Sequence, residues 1–356
     1  MRGLFDGYRK MEESGEVWFA GANTDSGFKG CYPDFADERK LERLYIIKGG
    51  PGSGKSTMMK RLADEAERRE YPVARYLCGS DPDSLDAVVL DGRIVMLDGT
   101  PPHAVESGAP GSVGELVDVS RFWNSGKLEK RRKEIEALAA LKAADYAAGT
   151  RWLAAADAVV REELHRAEEL FLREKAEKTA RRLIDRLGKP EKNGGGIRYR
   201  YDHAVTMRGR AALSTVGRGT ARRFVIEDAC GTAALFLDLL AREIEKAGFG
   251  AEFGLLPLGR RIAGIRVKDA AFYVGTPGDG DAVIRTRRFV SGAPRGPLRL
   301  ASKVRESCLS AADDALRSAA EHHFALEEIY KDAMDFDALH EAEDTLRNSI
   351  MDRLAR

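Results

Sequence analysis

The sequence predicts an α/β protein in which one strand-and-helix plan is laid down twice in tandem, each copy followed by helices. Three observations carry this expectation. The apolar run Leu44-Tyr45-Ile46-Ile47 leads into a glycine-rich turn at Gly49 to Thr57, and a helical pattern follows directly. A second continuous apolar run, Ile94-Val95-Met96-Leu97, ends in Asp98, as a strand buried on both faces would. After the Gly/Lys-rich stretch 188–196, similar segments recur at an offset of about 180 residues, the signature of an internal repeat.

Length and composition agree with two domains. At 356 residues the chain is long for one core, and the expected division is 1–187, a linker at 188–196, and 197–356. Lys and Arg number 58 against 57 Asp and Glu, a formal net charge of +1, so no global field argues for nucleic acid or an anionic membrane. Cys31, Cys78, Cys230 and Cys308 lack CxxC spacing and read as reduced thiols of a cytoplasmic protein, with Cys78 and Cys230 as small buried hydrophobes. Met1 to Gly15 lacks the apolar core of a signal peptide, and the alanine-rich tract 137–160 carries too many charges to span a membrane.

In chain order, Glu16 to Ala20 predicts a short strand, and Gly21, Asn23, Asp25 and Gly27 predict a loop. The turn after the next strand reads Gly49-Gly50-Pro51-Gly52-Ser53-Gly54-Lys55-Ser56-Thr57 and matches GxxxxGK[ST], the P-loop, between a strand and a helix as the motif requires. Glycines let main-chain N–H groups and the helix N-terminus face phosphate oxygens. Lys55 is expected to reach the β- and γ-phosphates and Ser56 to ligate Mg²⁺. The helix runs from Lys55 to about Arg69, with Met58, Met59, Leu62 and Ala66 facing the core.

Pro72 opens a strand through Leu77, and the loop beyond it places Asp81, Asp83 and Asp86 at the sheet edge where α/β folds bind ligands. Asp81 and Asp83 suit water orientation, activation of a substrate hydroxyl, or an outer contact to Mg²⁺; they suit an Asx turn equally well, and Asp86 fits the turn or helix N-cap better. Asp98 is the expected metal partner of Ser56. Gly99 follows it, so the carboxylate that many ATPases carry there is missing, and Thr100 or His103 could sense the γ-phosphate. Helices are predicted over Lys127 to Ala148 and Thr150 to Leu187, broken at Gly149 and stopped by Gly188 and Pro190, with Trp152, Leu153, Val160, Leu164 and Phe171 on one side. The basic cluster Lys130 to Lys133 reads as a solvated face rather than a nucleic-acid site.

The second half echoes the first. Tyr201 to Gly209 matches Phe19 to Gly27, Arg223 to Ile226 matches Arg43 to Ile46, and Gly275-Thr276-Pro277 matches Gly99-Thr100-Pro101. Where a second P-loop belongs, Glu227-Asp228-Ala229-Cys230-Gly231-Thr232 has lost the lysine and would repel a triphosphate. Such a half could present an arginine to the first if the two pack as a pseudo-dimer; Arg222, Arg223, Arg260 and Arg261 are the candidates.

These segments together, Phe19 to Gly27, Gly49 to Thr57, Ser80 to Asp86 and Leu97 to His103, resemble a little-characterised bacterial family of tandem P-loop proteins described as ATPases or ATP-binding proteins. The resemblance implies ATP and Mg²⁺ as ligands and names no substrate. The loop is also similar to that of adenylate-type kinases, but no arginine-rich lid follows Asp98. The expected activity is Mg²⁺-dependent ATP binding and slow hydrolysis, coupled to an unidentified protein or small-molecule partner. The alternatives are a small-molecule or nucleotide kinase and a nucleotide-dependent switch with negligible turnover.

Overall fold

A computed structural model describes residues 8, 10, 11, 15–101, 104–191, 196–292 and 297–356. Twelve of its strands form one sheet: β16-β12-β15-β14-β13-β9-β1-β5-β6-β7-β4-β8. The first half supplies β1 (Glu16–Phe19), β4 (Arg43–Lys48), β5 (Val73–Leu77), β6 (Leu85–Leu90), β7 (Ile94–Asp98) and β8 (Gly114–Asp118). The second supplies β9 (Ile197–Tyr201), β12 (Arg222–Glu227), β13 (Ala251–Leu255), β14 (Ile262–Val267), β15 (Ala270–Val274) and β16 (Ala282–Arg285). Counted outward from the middle, both halves have the same order of strands. Within each half the strands run one way, except that β6 and β14 run against their neighbours. The halves meet through the antiparallel pairing of β1 with β9, at Phe19 and Tyr201.

Burial on both faces explains the apolar runs. Tyr45 and Ile47 face a core shared with Met58, Met59 and Leu62 of helix α1 (Lys55–Arg68). Leu44 and Ile46 face the opposite side, against Tyr32 and Phe35. The segment expected to be a loop at 21–27 is instead part of a hairpin, β2 (Gly21–Thr24) and β3 (Gly27–Gly30), and its counterpart is β10 (His203–Thr206) with β11 (Gly209–Ala212). Thr24 Oγ1 donates to Gly27 O at 2.6 Å and Thr206 Oγ1 to Gly209 O at 2.7 Å, so the repeated threonine closes the same turn twice.

The helices depart from expectation. Helix α2 (Arg132–Leu170) passes through Gly149 without a break, because Gly149 lies at the crossing with helix α5 (Pro297–Asp332), where a Cβ would stand 3.2 Å from Leu316 Cδ2. The break falls at Phe171 and Leu172, where Leu172 N donates to Phe289 O at 2.7 Å, and α3 (Arg173–Asp185) follows. Leu153 and Val160 are buried in the seam with Leu309 and Leu316, whereas Trp152 is 47% exposed and does not belong to it.

The boundary expected between 187 and 197 does not separate the cores. Ala176, Ala180 and Ile184 of α3 pack with Phe236, Leu240 and Ile244 of α4 (Thr232–Ala247), against the second half of the sheet. Ile350, Met351 and Leu354 of α6 (Phe336–Leu354) pack against the first half with Met59 and Leu62. Each half therefore lends its terminal helices to the other. The crossover segments pair in the same sense: Phe171 bridges Val290, and Trp123 bridges Met334.

Among the described residues the cysteines are free; Cys31 and Cys308 are buried, and Cys78 and Cys230 only half-buried, the reverse of the expected emphasis. No helix among the described residues is long and apolar enough to cross a membrane.

Candidate functional site

β4 delivers the glycine-rich turn at the edge of the sheet, and α1 begins at Lys55. The turn needs left-handed backbone at Gly52 (φ 69°) and Gly54 (φ 84°), which non-glycine residues adopt only under strain. Ser53 Oγ donates to Gly50 O at 2.7 Å and tightens the loop. Lys55 Nζ folds back over it, donating to Gly49 O at 3.0 Å and Gly50 O at 2.7 Å. Pro51 lies in the same turn, and Thr57 is exposed one residue beyond Ser56.

The strand pairing brings Asp98 in. β7 lies parallel to β4 with Asp98 opposite Ile47, so the carboxylate at its tip reaches the loop. Lys55 Nζ is 3.6 Å from Asp98 Oδ2, with both side chains mostly shielded from solvent. Asp98 Oδ1 accepts the Thr100 N–H at 2.8 Å, and the Thr100 hydroxyl also donates to it. Ser56 Oγ accepts the Leu85 N–H at 2.9 Å, which leaves the hydroxyl a second lone pair for a cation. No cluster of three or more His, Cys, Asp or Glu side chains at metal-binding spacing occurs among the described residues. Ser56 and Asp98 suit a hard cation completed by phosphate and water oxygens rather than a dedicated protein cage.

Asp81 and Asp83 lie beside this centre in the loop after β5. Ser84 Oγ donates to Asp81 Oδ2 at 2.9 Å, and Lys60, one turn along α1 from Ser56, donates to the Asp83 carbonyl. Asp83 Oδ1 is buried without a hydrogen-bond partner. Asp86 is not a turn or cap residue; it is buried within β6. His103 falls outside the described residues.

Two further parts of the chain, missed in the sequence, close over the site. Arg208, in the β10–β11 turn of the second half, donates through Nε to Asp81 Oδ1 at 3.0 Å and pairs through Nη2 with Asp83 Oδ2 at 3.2 Å. A detectable signal existed: in the aligned turns Thr24-Asp25-Ser26-Gly27 and Thr206-Met207-Arg208-Gly209, a guanidinium replaces a hydroxyl. The β10–β11 hairpin docks by Met207 N donating to Ser80 O of the β5–β6 loop at 2.8 Å, and by Val205 O accepting from Asn23 Nδ2 of the first hairpin at 2.9 Å. The second part is α5. A Cβ on Gly52 would stand 2.6 Å from Glu327 O, and Tyr330 with Trp123 covers Gly50. The Glu327 carboxyl is held below its ordinary range: burial pulls it upward, but His323 and Lys331, at 3.4 and 3.2 Å, outweigh that. Burial pushes Lys142, from α2, downward, with Glu327 opposing.

The arginines considered for the second half lie elsewhere. Arg222 pairs with Asp269 and Arg223 with Asp281 at the far end of β12. Arg261 is surrounded by the charges of Arg305, Glu163, Asp228 and Asp157, on the second half's own side. The second-half counterpart of the glycine-rich turn carries an internal anion: Asp228 accepts the N–H groups of Gly231 at 2.9 Å and Ala233 at 2.7 Å.

No protein-family model, curated protein or solved structure matches the chain.

Proposed function

We propose that the chain is a Mg²⁺-dependent ATP-binding protein and ATPase with one working P-loop site, in a tandem P-loop architecture like that of the bacterial family it resembles, with the second loop degenerate where that family commonly carries two. The observation that carries the reading is the convergence of Lys55, Ser56 and Asp98 from two adjacent parallel strands, with Lys55 Nζ 3.6 Å from Asp98. Binding of a triphosphate would draw Lys55 from the loop carbonyls to the phosphates, where it offsets charge on the β- and γ-oxygens. Ser56 and Asp98 are the residues that would hold Mg²⁺, which would supply positive charge against the polyphosphate. Backbone N–H groups of the loop and the N-terminus of α1 orient the polyphosphate.

The test is isothermal calorimetry of Mg·ATP against the wild type and Lys55→Ala. Loss of binding in the variant is expected; equal affinity would remove the assignment of the loop. A nucleotide-dependent switch with negligible turnover is the second reading. It is favoured by the main chain of α5 lying against Gly52, which couples the loop to that helix, and by Gly99 where a water-activating carboxylate could stand.

A further inference from the structure

The contacts around the glycine-rich turn form a closed circuit. From Gly52 it passes to Glu327 on α5 and back one turn to Phe324, over whose ring the Arg208 guanidinium lies at 5.9 Å. From Arg208 it passes to Asp81 and Asp83, through Ser84 to Leu85, and by the 2.9 Å hydrogen bond of Leu85 N to Ser56 at the start of α1. These contacts tie Arg208 to the loop whose Leu85 N–H touches Ser56, at the start of α1. Arg208 is its member from the other half of the sheet, borne on a hairpin anchored at Ser80 and Asn23.

We infer that Arg208 is a catalytic residue of the first-half site, supplied by the second half, and that Asp81 and Asp83 park it when no nucleotide is bound. The inference rests on the P-loop reading and deepens it. A guanidinium is a planar fork suited to paired anionic oxygens, and a γ-phosphate offers such a pair on one group. The parking geometry is a two-point grip by half-buried carboxylates, and Asp81 retains the Ser84 hydroxyl when the arginine leaves.

In hydrolysis the water oxygen bonds to the γ-phosphorus while the bond from that phosphorus to the β–γ bridging oxygen breaks. The bridging oxygen keeps the electron pair and leaves on ADP; one water proton stays with phosphate and the other passes to solvent. Charge spreads over the γ-oxygens and the leaving oxygen during that exchange. Arg208 meets it on the γ-oxygens and Lys55 on the bridging side.

The experiment compares full-length wild type, Arg208→Ala, Arg208→Lys and Lys55→Ala for Mg·ATP affinity, single-turnover hydrolysis and affinity for Mg·ADP with aluminium fluoride. Arg208→Ala is expected to bind Mg·ATP within about threefold of wild type, while its turnover and its affinity for the fluoride complex fall by about 100-fold or more. Arg208→Lys keeps a charge opposite Asp81 and Asp83, which protects the fold, but is expected to share the turnover defect because the fork is lost. If wild type hydrolyses ATP and Arg208→Ala or Arg208→Lys does so within about threefold, the inference is overturned while the P-loop reading stands. Wild type that binds Mg·ATP yet neither turns it over nor retains the fluoride complex also overturns it. Failure of Lys55→Ala to lose nucleotide overturns the P-loop reading itself, and this inference with it.

Discussion

Asp228 Oδ1 accepts the main-chain N–H of Ala233 at 2.7 Å, so the second-half counterpart of the glycine-rich turn holds its own carboxylate at the start of α4. Its other oxygen takes the Gly231 N–H. Sequence reasoning identified Asp228 as a repellent of triphosphate; the fold uses it as a cap for α4. Asp228→Ala removes both acceptors from the helix N-terminus and is expected to cost about 1 kcal/mol, as loss of a capping side chain does. A denaturant titration should show a lower midpoint with an unchanged slope; an unshifted midpoint would contradict the capping role.

Gly52 is pinned twice, by its φ of 69° and by Glu327 O at 2.6 Å from the position of a Cβ. Gly52→Ala is expected to destabilise the protein by roughly 1–2 kcal/mol from backbone strain alone. The added methyl also presses α5 away from the loop. Limited proteolysis should therefore cut within 320–332 sooner than in wild type, and equal rates would show that the helix does not rest on the glycine.

Stability should fall on the acid side through Glu16. Burial pulls its carboxyl upward, but Arg200, the Trp18 indole N–H at 2.7 Å and Arg266 at 3.2 Å outweigh this and hold it below the ordinary glutamate range. A lowered folded value means that the contribution is complete above the unfolded value of about 4.3 and is lost as pH falls through the folded value. Glu327 acts with the same sign. In Glu16→Gln, unfolding monitored by circular dichroism should depend less steeply on pH below about 4.3 than in wild type. An identical pH profile would exclude Glu16 from that linkage.

Burial pushes the Cys31 thiol up to about 12, against a smaller opposing hydrogen bond from the Tyr201 main chain. Thiolate is the reactive form, so iodoacetamide at pH 8 should leave Cys31 unmodified in the folded protein and alkylate it after denaturation. Peptide mass spectrometry reads the difference, and rapid labelling of native protein would contradict the burial.

The local structure around the glycine-rich turn was legible in the residues because it is short-range. β4, the glycine turn and α1 are contiguous, and Asp98 follows a run apolar enough to be a central strand. The strands β6 and β8 were not legible. β6 follows directly on the acidic turn, its polar Asp86 buried inside it, and β8 is half-exposed with alternating Glu115, Val117 and Asp118 rather than continuously apolar. The repeat was visible in matched segments, and the sheet shows the same strand order in both halves.

By itself, then, the sequence determined the glycine-rich strand–turn–helix element, the strand that carries Asp98 and the absence of a lysine in the matching turn of the second half, since each depends on neighbours within a few residues. Only the tertiary structure decided that α3 and α6 cross to the opposite halves, that α5 lies over Gly52, and that Arg208, while Arg222 and Arg223 pair within the second half, faces Asp81 and Asp83. The physical reason is that an apolar helix face specifies burial without naming its partner. The partner follows from how two half-sheets meet edge to edge at Phe19 and Tyr201, residues 182 positions apart in the chain.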